Sequence, residues 1–230
     1  VTALAKCYML MRYFQEDALP VYREAFANEP EDMYLFAGLV LALSHNKVYD
    51  EAAEELYSRA LKSEKTLAPV LEQLDESMAG VQFAMARCLA QRGAQTKTAV
   101  SLYAEAFEHD PSDPVIALAY AQALAKAENY SEKAMKVYAV AHKRYPDDIG
   151  LLIALAKAYA QNGVIDHEAT YIYQKVFHAR KEWSGMCETV AALYAKEQRP
   201  PELALQLWKR LAEEQPQNAQ VDSQGVPAPP

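Results

Sequence analysis

The chain has 230 residues, of which 51% are hydrophobic and 23% charged, enough apolar content to bury a core and too much for a disordered polymer. Its 31 acidic residues outnumber 23 basic ones, a formal net charge of −8, so a phosphate backbone meets net repulsion and nucleic acid is excluded as the main partner. Seven glycines are few for this length, and no run of strand-forming residues bounded by turn signals occurs, so the composition predicts an all-α fold.

In chain order the sequence predicts six helical hairpins, at about 1–31, 32–66, 67–112, 113–147, 148–182 and 183–216, each a first helix A followed by a second helix B. A period of 35 residues sets these bounds. Ala18, Ala53, Ala99, Ala134, Ala169 and Ala204 recur at steps of 35, 46, 35, 35 and 35. Four positions later stand Tyr22, Tyr57, Tyr103, Tyr138, Tyr173 and Trp208, and three beyond those Ala25, Ala60, Ala106, Ala141, Val176 and Leu211. Such spacing is one stripe of a helix, the buried face of each B helix. Pro30, Pro111, Pro146 and Pro216 close four of the repeats, while Lys65 and Lys181 stand in the other two places.

The A helices carry Leu4, Leu39, Met85, Tyr120, Leu155 and Val190, and four residues later Tyr8, Leu43, Leu89, Leu124, Tyr159 and Tyr194, as their inward stripe. Between these run Ala5, Val40, Ala86, Ala121, Ala156 and Ala191, small enough for close helix approach. Gly93 and Gly163 follow two A helices, where a left-handed residue is needed. The third repeat is longer by eleven residues, about three helical turns. The expectation is that Pro69 opens an extended A helix running through Leu71, Leu74 and Met78 to about Arg92, projecting roughly 16 Å beyond its neighbours. Leu67, Val70, Leu71 and Leu74 either cover the adjacent hairpin or form a second docking edge. Residues 217–230 read as a flexible Pro/Gln-rich tail.

Small residues in helix A, then alanine, aromatic and alanine in helix B, then proline, resemble the tetratricopeptide repeat, from Val1 to about Pro216. The usual period is 34, and the added residue falls in the A-to-B turn. The resemblance implies a right-handed α-α superhelix, a solenoid whose A helices line a concave, peptide-holding face. Pentatricopeptide repeats also run 35 residues, but they resemble a basic reader of single-stranded RNA, and this chain is acidic. Carried onto this sequence, the open face consists of three rows: Thr2, Ala37, Phe83, Leu118, Ile153, Glu188; then Lys6, Leu41, Arg87, Gln122, Lys157, Ala192; then Leu10, His45, Gln91, Lys126, Gln161, Lys196. In repeats three to five the nine residues Phe83, Arg87, Gln91, Leu118, Gln122, Lys126, Ile153, Lys157 and Gln161 include no acid, which suits a protein or peptide with acidic and apolar groups. A plainer reading has the apolar row packing between A helices and the basic row simply solvated. Some members of the family grip a terminal carboxylate of a chaperone tail; Ala37, Gly38, Leu41 and Ala84 do not reproduce that clamp.

No catalytic constellation is found, so the chain is expected to be a non-catalytic scaffold or adaptor without cofactor or metal. The alternatives are a self-assembling module stacking through its ends as a homo-oligomer, or a regulatory domain of a larger protein. The aromatic column belongs to the core and not to a stacking ladder. Cys7 and Cys88 occupy the repeat position filled elsewhere by Ala42, Ala123 and Ala158, and read as small core residues; Cys187 lacks that explanation. The three cysteines cannot all pair, which favours a reducing compartment such as the cytoplasm. His45, His109, His142, His167 and His178 show no metal-ligand spacing, and acidic pairs such as Asp147-Asp148 and Glu54-Glu55 fit helix starts or outer faces. Apolar runs such as Ile149 to Ala156 are less than half the ~20 residues a bilayer span requires, so no membrane insertion is expected. Since the first residue is Val1, the chain reads as processed or excised, and the absence of polar capping helices leaves room for further repeats upstream.

Overall fold

A computed structural model describes residues 1–179, 184–195 and 202–214. The described residues form an all-α chain of thirteen α-helices, with a 3-10 turn at Glu16–Ala18. In order these are α1 Thr2–Leu10, α2 Leu19–Asn28, α3 Met33–His45, α4 Glu51–Lys62, α5 Glu64–Gln73, α6 Met78–Gln91, α7 Lys97–His109, α8 Pro114–Lys126, α9 Glu132–Arg144, α10 Ile149–Gln161, α11 His167–Ala179, α12 Ser184–Tyr194 and α13 Glu202–Glu214. Two compact units are present, Val1–Tyr120 and Ala121–Pro230, the boundary falling inside α8. In the first, α3 packs on α1, α2, α4, α5 and α6; in the second, α10 packs on α9, α11 and α12.

The hairpin turn is built from one repeated device. Five A helices end on a residue with positive φ, namely Arg12, Lys47, Gly93, Glu128 and Gly163. The next residue's amide returns to a carbonyl five positions back: Tyr13 to Tyr8, Val48 to Leu43, Ala94 to Leu89, Asn129 to Leu124 and Val164 to Tyr159, at 2.8–3.0 Å. This is a closed C-terminal turn that satisfies otherwise orphaned helix carbonyls. The carbonyl of the same residue then accepts a hydrogen bond from the hydroxyl of the buried B-helix tyrosine nine positions later. The pairs are Tyr22 to Tyr13 (3.1 Å), Tyr57 to Val48 (3.0 Å), Tyr103 to Ala94 (2.7 Å), Tyr138 to Asn129 (2.9 Å) and Tyr173 to Val164 (2.8 Å). Burial pushes the Tyr103 hydroxyl up to about 12 and those of Tyr22, Tyr57, Tyr138 and Tyr173 higher still, so all remain proton donors at neutral pH. In the last repeat Trp208 replaces the tyrosine, and its indole N–H donates instead to the Ala191 carbonyl at 3.2 Å.

The alanine column receives the caps of the B helices. Asp50, Thr96, Ser131 and Asp166 accept from the amides of Ala53, Ala99, Ala134 and Ala169. Gln15 holds the equivalent place in the first repeat, makes no side-chain cap, and the helix there starts through the 3-10 turn. The alanines of this column, the tyrosines and the small A-helix column are all essentially without solvent contact. The Leu211 side chain, Lys181, Pro216, Lys196 and the tail 217–230 lie outside the described residues.

The eleven extra residues do not lengthen an A helix. They form a separate helix, α5, and α6 begins only at Met78. Lys65 stands where Pro30, Pro111 and Pro146 divert the chain in other repeats, so after Ser63 the backbone re-enters a helix at once. Pro69, expected to open the long helix, lies inside α5. That helix ends on Asp75 at φ 53, with Glu76 N–H bonded to the Leu71 carbonyl at 2.9 Å, the same closed turn that ends the A helices. Its stripe of Leu67, Val70, Leu71 and Leu74 is buried, and α5 packs on α3, so the stripe covers a hairpin. Two further expectations fail at α1, where no helix among the described residues covers the outer side: Leu4 is 46% exposed, and Cys7 is exposed whereas Cys88 is buried.

Tyr138→Phe removes the donor to a turn carbonyl and is expected to lower stability by about 1–2 kcal/mol, read as a lower urea midpoint at unchanged slope. A Cβ at Gly38 would meet Tyr22 Cε1 at 2.6 Å and Met9 Sδ at 2.9 Å, whereas one at Gly80 meets nothing within 4 Å. Gly38→Ala is therefore expected to cost about 1–3 kcal/mol in a thermal melt, and Gly80→Ala to raise stability by up to about 1 kcal/mol.

Candidate functional site

The A-helix faces differ between repeats because of what lies on them. In the second repeat Ala37 and Leu41 are fully covered, and α5 packs on that helix. In the third, Phe83 is half-buried with its ring 5.9 Å from His109, and Gln91 is exposed; Leu118 on α8 is half-buried. In the second unit Gln122, Lys126 and Gln161 are exposed, and Ile153 and Lys157 are half-buried. There α10 is tied to the turn after α8, since Asn162 Nδ2 donates to the Tyr130 carbonyl at 2.8 Å and Lys157 Nζ lies 5.4 Å from the Tyr130 ring centroid.

Arg87 is not the free cation the sequence suggested. Its Nη1 donates to both carboxylate oxygens of Asp113, at 2.8 and 2.9 Å, and its guanidinium lies 5.1 Å from the Tyr49 ring centroid. Both partners of the ion pair are largely shielded, at 18% and 13% side-chain exposure. Asp113 also caps α8, accepting from the amides of Val115 and Ile116. The same arrangement occurs at the first repeat, where Lys6 Nζ lies 2.6 Å from Asp32, which caps α3 through Tyr34 and Leu35. Burial alone would push the Asp32 carboxyl up, but the Lys6 hydrogen bond and the two amides more than reverse it and hold it below the usual carboxylate value. The hydrogen bond to Asp32 in turn raises the Lys6 ammonium. In both cases a cation of the second row locks the N-terminus of the next A helix. Both pairs are 26 residues apart, a spacing readable in the sequence once the period is known.

Two of the three cysteines are buried and the third, Cys7, is exposed. Burial pushes the Cys88 thiol up to about 12, so it is no nucleophile, and Cys187 is also buried. Among the described residues no group of His, Cys, Asp and Glu could hold a metal ion, and no helix is long and apolar enough to cross a membrane.

Arg87→Ala leaves the shielded Asp113 carboxylate unpaired and is expected to cost about 2–3 kcal/mol in urea unfolding, with Arg87→Lys intermediate because the double contact to one carboxylate is weakened. Lys6→Met, where the cation is 46% exposed, should lower the urea midpoint less than Arg87→Ala does.

Residues 114–158 match the family model described as tetratricopeptide repeat. No curated protein matches. Among solved structures, a MamA mutant is similar at 17% identity and a TM-score of 0.43, the likeness covering 77% of this chain and 94% of that one. The matched span is thus similar to a tetratricopeptide repeat, and the same alanine, aromatic and closed-turn device recurs along the described residues.

Proposed function

We propose that the chain is a non-catalytic scaffold that holds a segment of a partner protein on the open faces of its A helices. Of the nine residues assigned to that face, Arg87 is better given to structure, since its charge is spent on Asp113. Phe83, Gln91 and Leu118 in the first unit, and Gln122, Lys126, Ile153, Lys157 and Gln161 in the second, remain the contact residues. The observation that carries the reading is in the second unit: neither Lys126 nor Lys157 is paired with a carboxylate among the described residues, in a chain of net charge −8. Half-open Ile153 lies one turn from Lys157 on α10, which gives an apolar contact beside a cation. Such a surface favours a segment carrying acidic and apolar side chains, with the cations supplying orientation and on-rate and the apolar contact supplying area.

Lys126→Glu combined with Gln161→Glu changes two exposed side chains and should leave the melting temperature within a few degrees of the parent. Affinity capture from a native lysate, quantified by mass spectrometry, is expected to lose the partner by tenfold or more with this double variant. Undiminished capture would overturn the assignment of this face.

A further inference from the structure

Helix α5 does more than fill the space above α3; it builds a wall. Its buried stripe packs on α3, and its C-terminal end is fastened on several sides. Tyr34 Oη donates to Gln73 Oε1, Arg12 pairs with Asp75, and His45 Nε2 lies 3.2 Å from Glu76. The chain just beyond is held as well, where Ser44 Oγ donates to the Gly80 carbonyl at 3.3 Å. Between this wall and α1 a pocket of about 270 Å³ remains, lined by Lys6, Met9, Leu10, Asp32, Tyr34 and Leu74.

The chemistry of the pocket is specific. Met9 and Leu74 are buried and form an apolar floor, while Leu10 at 84% exposure and Tyr34 at 45% leave apolar surface at the rim. The volume lies below the roughly 300–1,000 Å³ of ordinary small-molecule sites and suits one large side chain. Around the mouth the charge is unbalanced. Lys6 in the lining is shared by Asp32 at 2.6 Å and Glu29 at 3.7 Å, so one cation stands against two carboxylates. An incoming cation meets net attraction there and an incoming anion net repulsion.

We propose that the pocket between α1 and α5 takes the single large apolar side chain of a partner segment that carries lysine or arginine beside that anchor. The proposal rests on the reading of the chain as a protein-binding scaffold, but on residues separate from the face in the second unit and on the opposite charge preference. The insertion that forms α5 creates the site, because Leu74 supplies part of its floor and Gln73 holds Tyr34 at its rim.

The test uses the full chain and a phage-displayed library of random 12-residue peptides, followed by fluorescence polarisation with the enriched peptides. Enriched sequences are expected to share one Leu, Met or Phe with Lys or Arg within two positions. Leu10→Ser, which removes an exposed apolar wall, should weaken their binding at least tenfold, and Glu29→Lys should weaken it several-fold and flatten its salt dependence. Both positions are exposed, so an unchanged melting temperature verifies that the fold is retained. The Lys126→Glu, Gln161→Glu variant should bind these peptides as the parent does, so that failure here and failure of the second-unit face are told apart. Peptides flanked by acids, or bound equally by Leu10→Ser, would overturn the proposal. So would a concentration-dependent dimer that Leu10→Ser returns to monomer, because a second copy would then be the occupant.

Discussion

The buried tyrosine hydroxyl bonded to a turn carbonyl is the contact on which the hairpins depend. Each closed turn leaves one residue between helix A and helix B whose N–H is satisfied by helix A and whose carbonyl is met by the B helix. A buried carbonyl without a partner costs about 1–3 kcal/mol, so the B helix must present a donor at that point. Tyrosine supplies both the donor and the large apolar ring that fills the space between helices, which phenylalanine would do only by half. The five bonds run from 2.7 to 3.1 Å and always span nine residues, so the contact fixes the length of the turn as well as the register of the helices. It also sustains positive φ at Arg12, Lys47 and Glu128, where a side chain normally resists that conformation.

Once that interior is fixed, the A helices differ in what covers their open side. Second-row cations bond forward to the cap of the next A helix at Lys6–Asp32 and Arg87–Asp113, joining one hairpin to its successor. At Lys126 and Lys157 no such bond is made among the described residues. Where α5 lies on the face, as over Ala37 and Leu41, the surface is closed and a pocket of different chemistry forms at its edge.

Most of this framework was legible in the sequence because the period carried it: the alanine and aromatic columns, the small A-helix column and the stops at Pro30, Pro111 and Pro146 lie where the spacing placed them. The partner of the tyrosine hydroxyl was not, since the residues offering the carbonyl are Tyr13, Val48, Ala94, Asn129 and Val164, and a backbone group leaves no mark on residue type. Helix α5 was misread as an extension of α6 because the break at Asp75 contains neither glycine nor proline, although Lys65 in the place of a stop proline was a visible sign that the chain would fold back into helix. The role of Arg87 was misjudged for a different reason. Its charge was counted along its own face, whereas its partner Asp113 belongs to the cap of the following helix.

Hydrogen–deuterium exchange of the full chain, with and without a captured partner, tests most directly the claim that the A-helix faces hold a partner segment. Bound partner is predicted to slow exchange in peptides covering Gln122–Lys126 and Ile153–Gln161, with the B helices α9 and α11 unchanged. Protection confined to α9 and α11, with α8 and α10 unaffected, would contradict it.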